Sequence, residues 1–296
     1  MLEQLLTEQR NPASAGIGDQ STEGILRIIN AEDHKIAQAV ETQIPAIGRA
    51  VDAIFSAIAH GGRLFYIGAG TSGRLGILDA AECPPTFSVP EEMVQGVIAG
   101  GAESLVRATE ASEDDAGSGR QDLLARGFAG KDVLVGIAAS GRTPYVLGAV
   151  RGARELGATT VGISCSPGSE LSSAVDIGIE ALVGPEVVTG STRMKAGTAT
   201  KLILNMISTA VMIRLGHVYG NLMVNVQPKN AKLEDRATRI IVDACGVGYQ
   251  QAGELLAASA NNVKTAIVMS RLGLAREVAE KRLALLGGRI SEALKG

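Results

Sequence analysis

Two glycine-rich stretches carry hydroxyls at points where the chain would turn from a strand into a helix, a pattern suited to an anion. The first is Gly68-Ala69-Gly70-Thr71-Ser72-Gly73 and the second is Ala139-Ser140-Gly141-Arg142-Thr143-Pro144. The first N–H groups of a helix have no partner inside it, and the helix dipole adds positive potential there. Hydroxyls at both places could hold one phosphate from two sides. Pro144 suits a first helical turn, where a missing N–H costs nothing. Phosphate-binding roles are therefore expected for Gly70, Thr71, Ser72, Gly73, Ser140, Gly141 and Thr143. A third polar stretch, Thr189 to Lys195, precedes a long apolar segment. Ser191 could cap a helix there, with Glu186 nearby, and Ser191 and Thr192 are as well placed to face a ligand.

Gly68, Gly70 and Gly73 also satisfy the G-x-G-x-x-G spacing of dinucleotide folds. The acidic residue expected after the next strand is missing, because Gly96-Val97-Ile98-Ala99-Gly100-Gly101 runs on into glycines. Arg74 stands where a Walker motif would need Lys-Ser/Thr. Phosphate is thus favoured over a dinucleotide. Paired carboxyls could supply acid–base chemistry without a metal. Carboxyls are grouped in the run Glu110, Glu113, Asp114, Asp115, although by spacing alone that run reads as a solvated loop. Cys83, Cys165 and Cys245, and His34, His60 and His217, are scattered, which suggests neither a disulfide framework nor a metal cluster. No metal and no redox cofactor are expected.

The elements that must position these groups follow from periodicity. Short apolar runs predict strands over 63–67, 95–99, 133–138, 160–164 and 177–181. Helices are expected over 73–81, 103–110, 144–156 and 170–173 between them, and over 191–215 after them. Strands alternating with helices predict an α/β class with a doubly wound, parallel five-stranded sheet. Ahead of it, a helix capped by Ser21 or Thr22 and a second over 31–59 are expected. Beyond Val226 the chain reads as four short helices, over 233–245, 249–259, 263–271 and 274–286, with no strand. The expected organisation is N-terminal helices over 1–54, an α/β domain over 55–226 and a small all-helical module over 227–296.

The 296 residues include 28 basic and 31 acidic side chains, a formal charge of −3, with no long basic run. Nucleic acid and an anionic membrane are poor partners for that balance. The start, MLEQLLTEQRNPAS, lacks the basic and apolar regions of a signal peptide. The apolar stretch around 202–215 is interrupted by Asn205, Ser208, Thr209 and Arg214, too polar to span a membrane. A cytoplasmic protein is expected.

The two loops on such a sheet resemble the sugar isomerase (SIS) fold. Around them stand Leu78-Asp79-Ala80-Ala81-Glu82-Cys83-Pro84-Pro85-Thr86-Phe87, Thr109-Glu110-Ala111-Ser112-Glu113-Asp114-Asp115 and Gly190-Ser191-Thr192-Arg193-Met194-Lys195-Ala196-Gly197-Thr198. Tyr219-Gly220-Asn221-Leu222-Met223-Val224-Asn225-Val226 and Asn230-Ala231-Lys232-Leu233 follow. From Leu6-Thr7-Glu8-Gln9-Arg10-Asn11 nearly to the end, the whole resembles the N-acetylmuramic acid 6-phosphate etherase family. The resemblance implies cleavage of a D-lactyl ether by water, giving N-acetylglucosamine 6-phosphate and D-lactate, in a homodimer active in cell-wall sugar recycling or use. It puts the two active-site glutamates on Glu82 and Glu113. Ala111-Ser112 replaces the Gly-Ala usual before the second glutamate and spares the glutamate itself. Glu82 is expected as the acid on the ether oxygen and Glu113 as the base at C2, with a turn at Cys83-Pro84-Pro85 redirecting the chain. The resemblance also admits a non-catalytic regulator of the glucokinase-regulatory type and a ketose/aldose phosphate isomerase. The intact glutamate pair disfavours a pure sensor, and an isomerase needs no acid at C3.

Overall fold

The computed structural model describes residues 6–107, 112–228 and 230–295. A polar arm with short 3-10 turns at Leu6–Glu8, Pro12–Ser14 and Ile17–Asp19 leads into helices α1 (Thr22–Glu41) and α2 (Ile44–Ala59). Ser21 caps α1 by accepting the Gly24 N–H. The break between the helices falls at Thr42–Gln43, not near residue 30 as the pattern predicts. Pro45 sets it: its ring clashes with the carbonyl four residues back, so the chain restarts with proline in the new first turn.

Continuous apolar runs then make the sheet. Strands β1 (Leu64–Gly68), β2 (Val94–Ile98), β3 (Val133–Ile137), β4 (Thr159–Ser164) and β5 (Ile177–Glu180) are all parallel, in the order β2-β1-β3-β4-β5. Every end lies within one residue of its expected place. Between them run α3 (Gly70–Phe87), α4 (Ala116–Ala125), α5 (Pro144–Glu155) and α6 (Glu170–Ala174). Successive side chains of a strand face opposite ways. Phe65 and Leu134 are buried with Tyr145, Val146 and Val150 of α5. The neighbouring Tyr66 turns the other way and its hydroxyl donates to Asp79 of α3 at 2.9 Å. Helices therefore cover both faces, which makes the sheet doubly wound.

Three helices depart from the sequence reading. The helix expected over 103–110 is only a 3-10 turn, Gly101–Leu105, and Thr109, Glu110 and Ala111 lie outside the described residues. The crossing helix is α4, capped by Asp115, whose carboxylate accepts the Gly117 and Ser118 N–H groups. Its glycines hide it from a propensity reading, and close packing on α5 requires them. A Cβ on Gly119 would lie 2.0 Å from the Tyr145 carbonyl oxygen, and one on Gly148 would lie 1.9 Å from that of Ala116. Helix α3 starts at Gly70 and continues through Pro84 and Pro85 instead of turning at Cys83. The two prolines remove the donors that would serve the Ala80 and Ala81 carbonyls, and the Ser88 N–H donating to the Pro84 oxygen resumes the pattern. Helix α7 (Lys195–Arg214) begins four residues later than expected. It is apolar and long enough to cross a membrane by composition, yet 56% of its most apolar window is buried in the protein, including Ile203, Ile207 and Val211 at four-residue spacing.

The chain divides into two compact units, Met1–Ala81 with Glu91–Ser208 and Glu82–Pro90 with Thr209–Gly296. The second holds a small hairpin, β6 (Val218–Tyr219) and β7 (Leu222–Met223). It also holds helices α8 (Ala231–Cys245), α9 (Tyr249–Ala258), α10 (Val263–Leu272), α11 (Arg276–Leu285) and α12 (Ile290–Ala293). Ile241, Leu256, Ile267 and Leu283 form its core. Within it, the Asn225 amide donates to the Phe87 carbonyl and meets His217, and Ser88 donates to the Asn225 carbonyl.

Candidate active site

The strand order reverses between β1 and β3, and in open α/β sheets the crevice at that point, outside the carboxyl ends of the strands, takes the ligand. A cavity of about 630 Å³ opens there in the first unit. Its walls include Gly70, Thr71 and Ser72 after β1, Ser140 and Thr143 after β3, and Thr192, Ala196 and Gly197 around the start of α7. Three helix N-termini thus converge on one space. Ala69, before α3, has no group with which to cap it. The Thr143 hydroxyl makes no capping bond to α5. Both starts lack a side-chain cap and turn their positive dipole ends to the cavity.

The start of α7 is built differently. The buried Glu186 carboxylate accepts the Lys195 N–H at 3.0 Å and the Ala196 N–H at 2.9 Å. Glu186 therefore does the capping that the sequence suggested for Ser191. The Lys195 ammonium, only 1% exposed, meets Glu32 at 2.6 Å. Burial alone would raise the Glu32 carboxyl, but donors on Lys195, Lys35 and Asn11 outweigh it and hold the group down to about 2.

Glu113 lines the cavity. Its carbonyl accepts the Tyr145 N–H at 3.0 Å, which ties it to the first turn of α5. Its carboxylate approaches the start of α3 so closely that a Cβ on Gly70 would lie 3.1 Å from Oε1, and Gly70 has φ +51°. Glu82 is exposed, belongs to the second unit and is not among the cavity's lining residues. It belongs to α3, twelve residues beyond Gly70 in sequence. Of the expected phosphate ligands, Gly70, Thr71, Ser72, Ser140, Thr143 and Thr192 meet at the cavity, whereas Gly73, Gly141 and Ser191 do not line it. Gly141, at φ +69°, makes the turn after β3, donating to the Ala138 oxygen at 2.8 Å.

The cavity also holds Glu8, Arg74, Ser104 and Asp114, to which sequence reasoning gave no role in the site. Arg74 followed the glycine loop in plain view. Its guanidinium donates to the Leu105 and Arg107 carbonyls, which holds it at the rim. Below the loop on α3, Asp79 accepts from Tyr66 and, at 3.1 Å, from Ser208, and burial pushes it up to about 6.

A parallel sheet with an anion-ready cavity at its switch point fits a protein of the SIS class. Residues 119–210 match the SIS domain, and residues 46–153 match the glucokinase regulatory protein N-terminal SIS domain. A phosphoheptose isomerase from Neisseria gonorrhoeae shares the fold with a TM-score of 0.50 at 21% identity, over 64% of this chain and 98% of that one. Among full-length relatives, an N-acetylmuramic acid 6-phosphate etherase of Aeromonas hydrophila is 57% identical, with 98% of each chain covered. Another, of Vibrio vulnificus, is 55% identical, covering 99% of this chain and 98% of that one. The chain belongs to the N-acetylmuramic acid 6-phosphate etherase family.

Proposed function

We propose that the protein cleaves the D-lactyl ether of N-acetylmuramate 6-phosphate with water, yielding N-acetylglucosamine 6-phosphate and D-lactate, in amino-sugar recycling. The observation that carries this reading is Glu113 beside a hydroxyl-rich, three-helix anion cavity, in a chain 57% identical over nearly its whole length to a relative of that name. The phosphate sits on Thr71, Ser72, Ser140 and Thr143, with Thr192 close by. With the sugar open, its C1 aldehyde makes the C2 proton acidic. Glu113 takes that proton while Glu82 protonates the departing ether oxygen, so the C3–O bond breaks and lactate leaves. Water then adds at C3 and a proton returns to C2, the two carboxyls exchanging roles. Each proton transfer is worth about 10²–10⁴-fold in rate. The protein works as a cytoplasmic homodimer, in which Met206 and Ile213, exposed on α7, offer apolar surface to a second copy. Its mass in solution is the check on that point.

Lactate release from N-acetylmuramate 6-phosphate in H₂¹⁸O tests the reaction. Label is expected at C3 of the sugar, and label in the lactate hydroxyl would exclude elimination and addition. Glu113→Gln and Glu82→Gln are each expected to slow turnover about 10²–10⁴-fold while still binding product. A near-normal rate in either removes that residue from the reaction.

A further inference from the structure

Glu8 belongs to the polar arm, far in sequence from every loop of the sheet, yet its side chain lines the cavity beside Gly190. A Cβ on Gly190 would lie 3.2 Å from Glu8 Oε2. The arm is tied down at this place by a buried network. The Asn11 amide donates to Glu32 at 2.9 Å and to the Pro185 carbonyl at 3.0 Å. The Ser14 hydroxyl donates to the Val187 carbonyl at 2.8 Å. Glu32 in turn holds the buried Lys195 ammonium, and Glu186 holds the first N–H groups of α7. The arm and the segment leading to Gly190 are thus fixed side by side, three residues from Glu8.

A carboxylate so placed has limited uses. The phosphate end of the cavity is made of helix N-termini and hydroxyls, and a dianion there repels Glu8. Its Oε1 accepts the Thr7 hydroxyl at 3.4 Å, and the further donors that a sugar phosphate can offer it are neutral: sugar hydroxyls and an amide N–H. Resting on the function proposed above, we infer that Glu8 is a substrate-contacting residue that accepts hydrogen bonds from the hydroxyl or acetamido donors of the sugar. By selecting donors and repelling the anion, it fixes which end of the sugar phosphate faces α3 and which faces the arm.

Binding of N-acetylglucosamine 6-phosphate and of inorganic phosphate to wild type, Glu8→Ala and Glu8→Gln, read by calorimetry, tests this without turnover. A hydrogen bond to a charged acceptor supports a loss of about 10- to 100-fold in affinity for the sugar phosphate in Glu8→Ala. Glu8→Gln keeps an acceptor and is expected to lose less. Inorganic phosphate is expected to bind both variants as well as wild type or slightly better, since a negative charge is gone. Glu8 is exposed, so both variants are expected to keep the wild-type melting temperature. Unchanged sugar-phosphate affinity in Glu8→Ala would overturn the inference, as would an equal loss for inorganic phosphate, which would mean a general collapse of the cavity. A wild type that binds inorganic phosphate and not the sugar phosphate would instead sink the proposed function, and this inference with it.

Discussion

Two helices of the helical unit begin in the opposite way to two helices at the cavity of the α/β unit. In the helical unit, α8 opens on Asn230, which accepts the Leu233 N–H at 3.0 Å, and closes on Gly246 in the left-handed conformation. Helix α10 repeats the device with Asn262, the Thr265 N–H at 3.0 Å and Gly273. Both helices satisfy their end groups from within. At the cavity of the α/β unit, α3 follows an alanine and α5 follows a threonine whose hydroxyl makes no cap. A cap is worth about 1 kcal/mol, so these starts forgo local stability and leave donors for a ligand. The third cavity helix, α7, is capped by a buried carboxylate and ringed by buried charge. The contrast teaches that the site unit draws its stability from the sheet core and cannot lose one half of the Glu32–Lys195 pair, whereas the helix ends that face the ligand contribute little.

The largest expected effect tests that dependence. Lys195→Met removes the charge that Glu32 needs where both are almost fully buried. Breaking a buried pair from one side costs about 3–5 kcal/mol, because the remaining charge stays desolvated. Glu32 keeps Asn11 and the more exposed Lys35, which favours the lower end of that range. Replacing both charges, with Lys195→Met and Glu32→Leu together, is expected to recover much of the loss. Urea unfolding of wild type and of the two variants measures both effects. A single variant as stable as wild type would show that the pair is no support of this unit.

Reading the sequence reached the parts whose cause is local. Each β-strand of the sheet is built on a short, largely apolar run, so its ends lay within one residue of expectation. The hydroxyl loops were legible because a strand followed by glycine and hydroxyls has few other uses. What stayed hidden depended on distant partners. Helix α4 contains Gly117 and Gly119, which read as a breaker until the approach of α5 explains Gly119. The cap of α7 comes from Glu186, nine and ten residues from the N–H groups it accepts. Glu8 reaches the cavity because Asn11 bonds Pro185, a contact across 174 residues that no local pattern encodes. Glu82 was singled out by resemblance alone. It sits in a helix interrupted by two prolines, and nothing about its own spacing marks it.

Acidity separates the two units next. In the α/β unit, burial pushes Asp79 from its ordinary 3.8 up to about 6, against hydrogen bonds from Tyr66 and Ser208 and the charge of Lys201. Folded protein keeps that proton where unfolded protein has released it. The stability Asp79 contributes is therefore full below pH 3.8 and is lost as pH rises through 6. In the helical unit, burial, with Lys264 adding to it, pushes His217 from 6.5 down to about 4. Its contribution is full above pH 6.5 and is lost as pH falls through 4. Each amounts to at most about 3 kcal/mol. The two slopes oppose one another between pH 4 and 6. Asp79→Asn is expected to leave stability rising with pH across that window, and His217→Gln to leave it falling. Calorimetric scans from pH 4 to 7 decide it. If the units melt separately, their transitions should move in opposite directions, and parallel movement would remove the contrast.

The smallest effect is the most direct comparison of the helix starts themselves. Asn262→Ala deletes an acceptor that the Thr265 N–H uses and is expected to cost about 1 kcal/mol. Thr143→Ala, at the matching position of α5, removes a hydroxyl that makes no capping bond, so its stability is expected to stay within about 0.5 kcal/mol of wild type. Ligand affinity should show the reverse order. Inorganic phosphate is expected to bind Thr143→Ala more weakly by about tenfold, the worth of one hydrogen bond to a charged group, and to bind Asn262→Ala normally. Equal stability losses in the two variants would mean that Thr143 is an ordinary cap, and that the cavity end of α5 is built no differently from the start of α10.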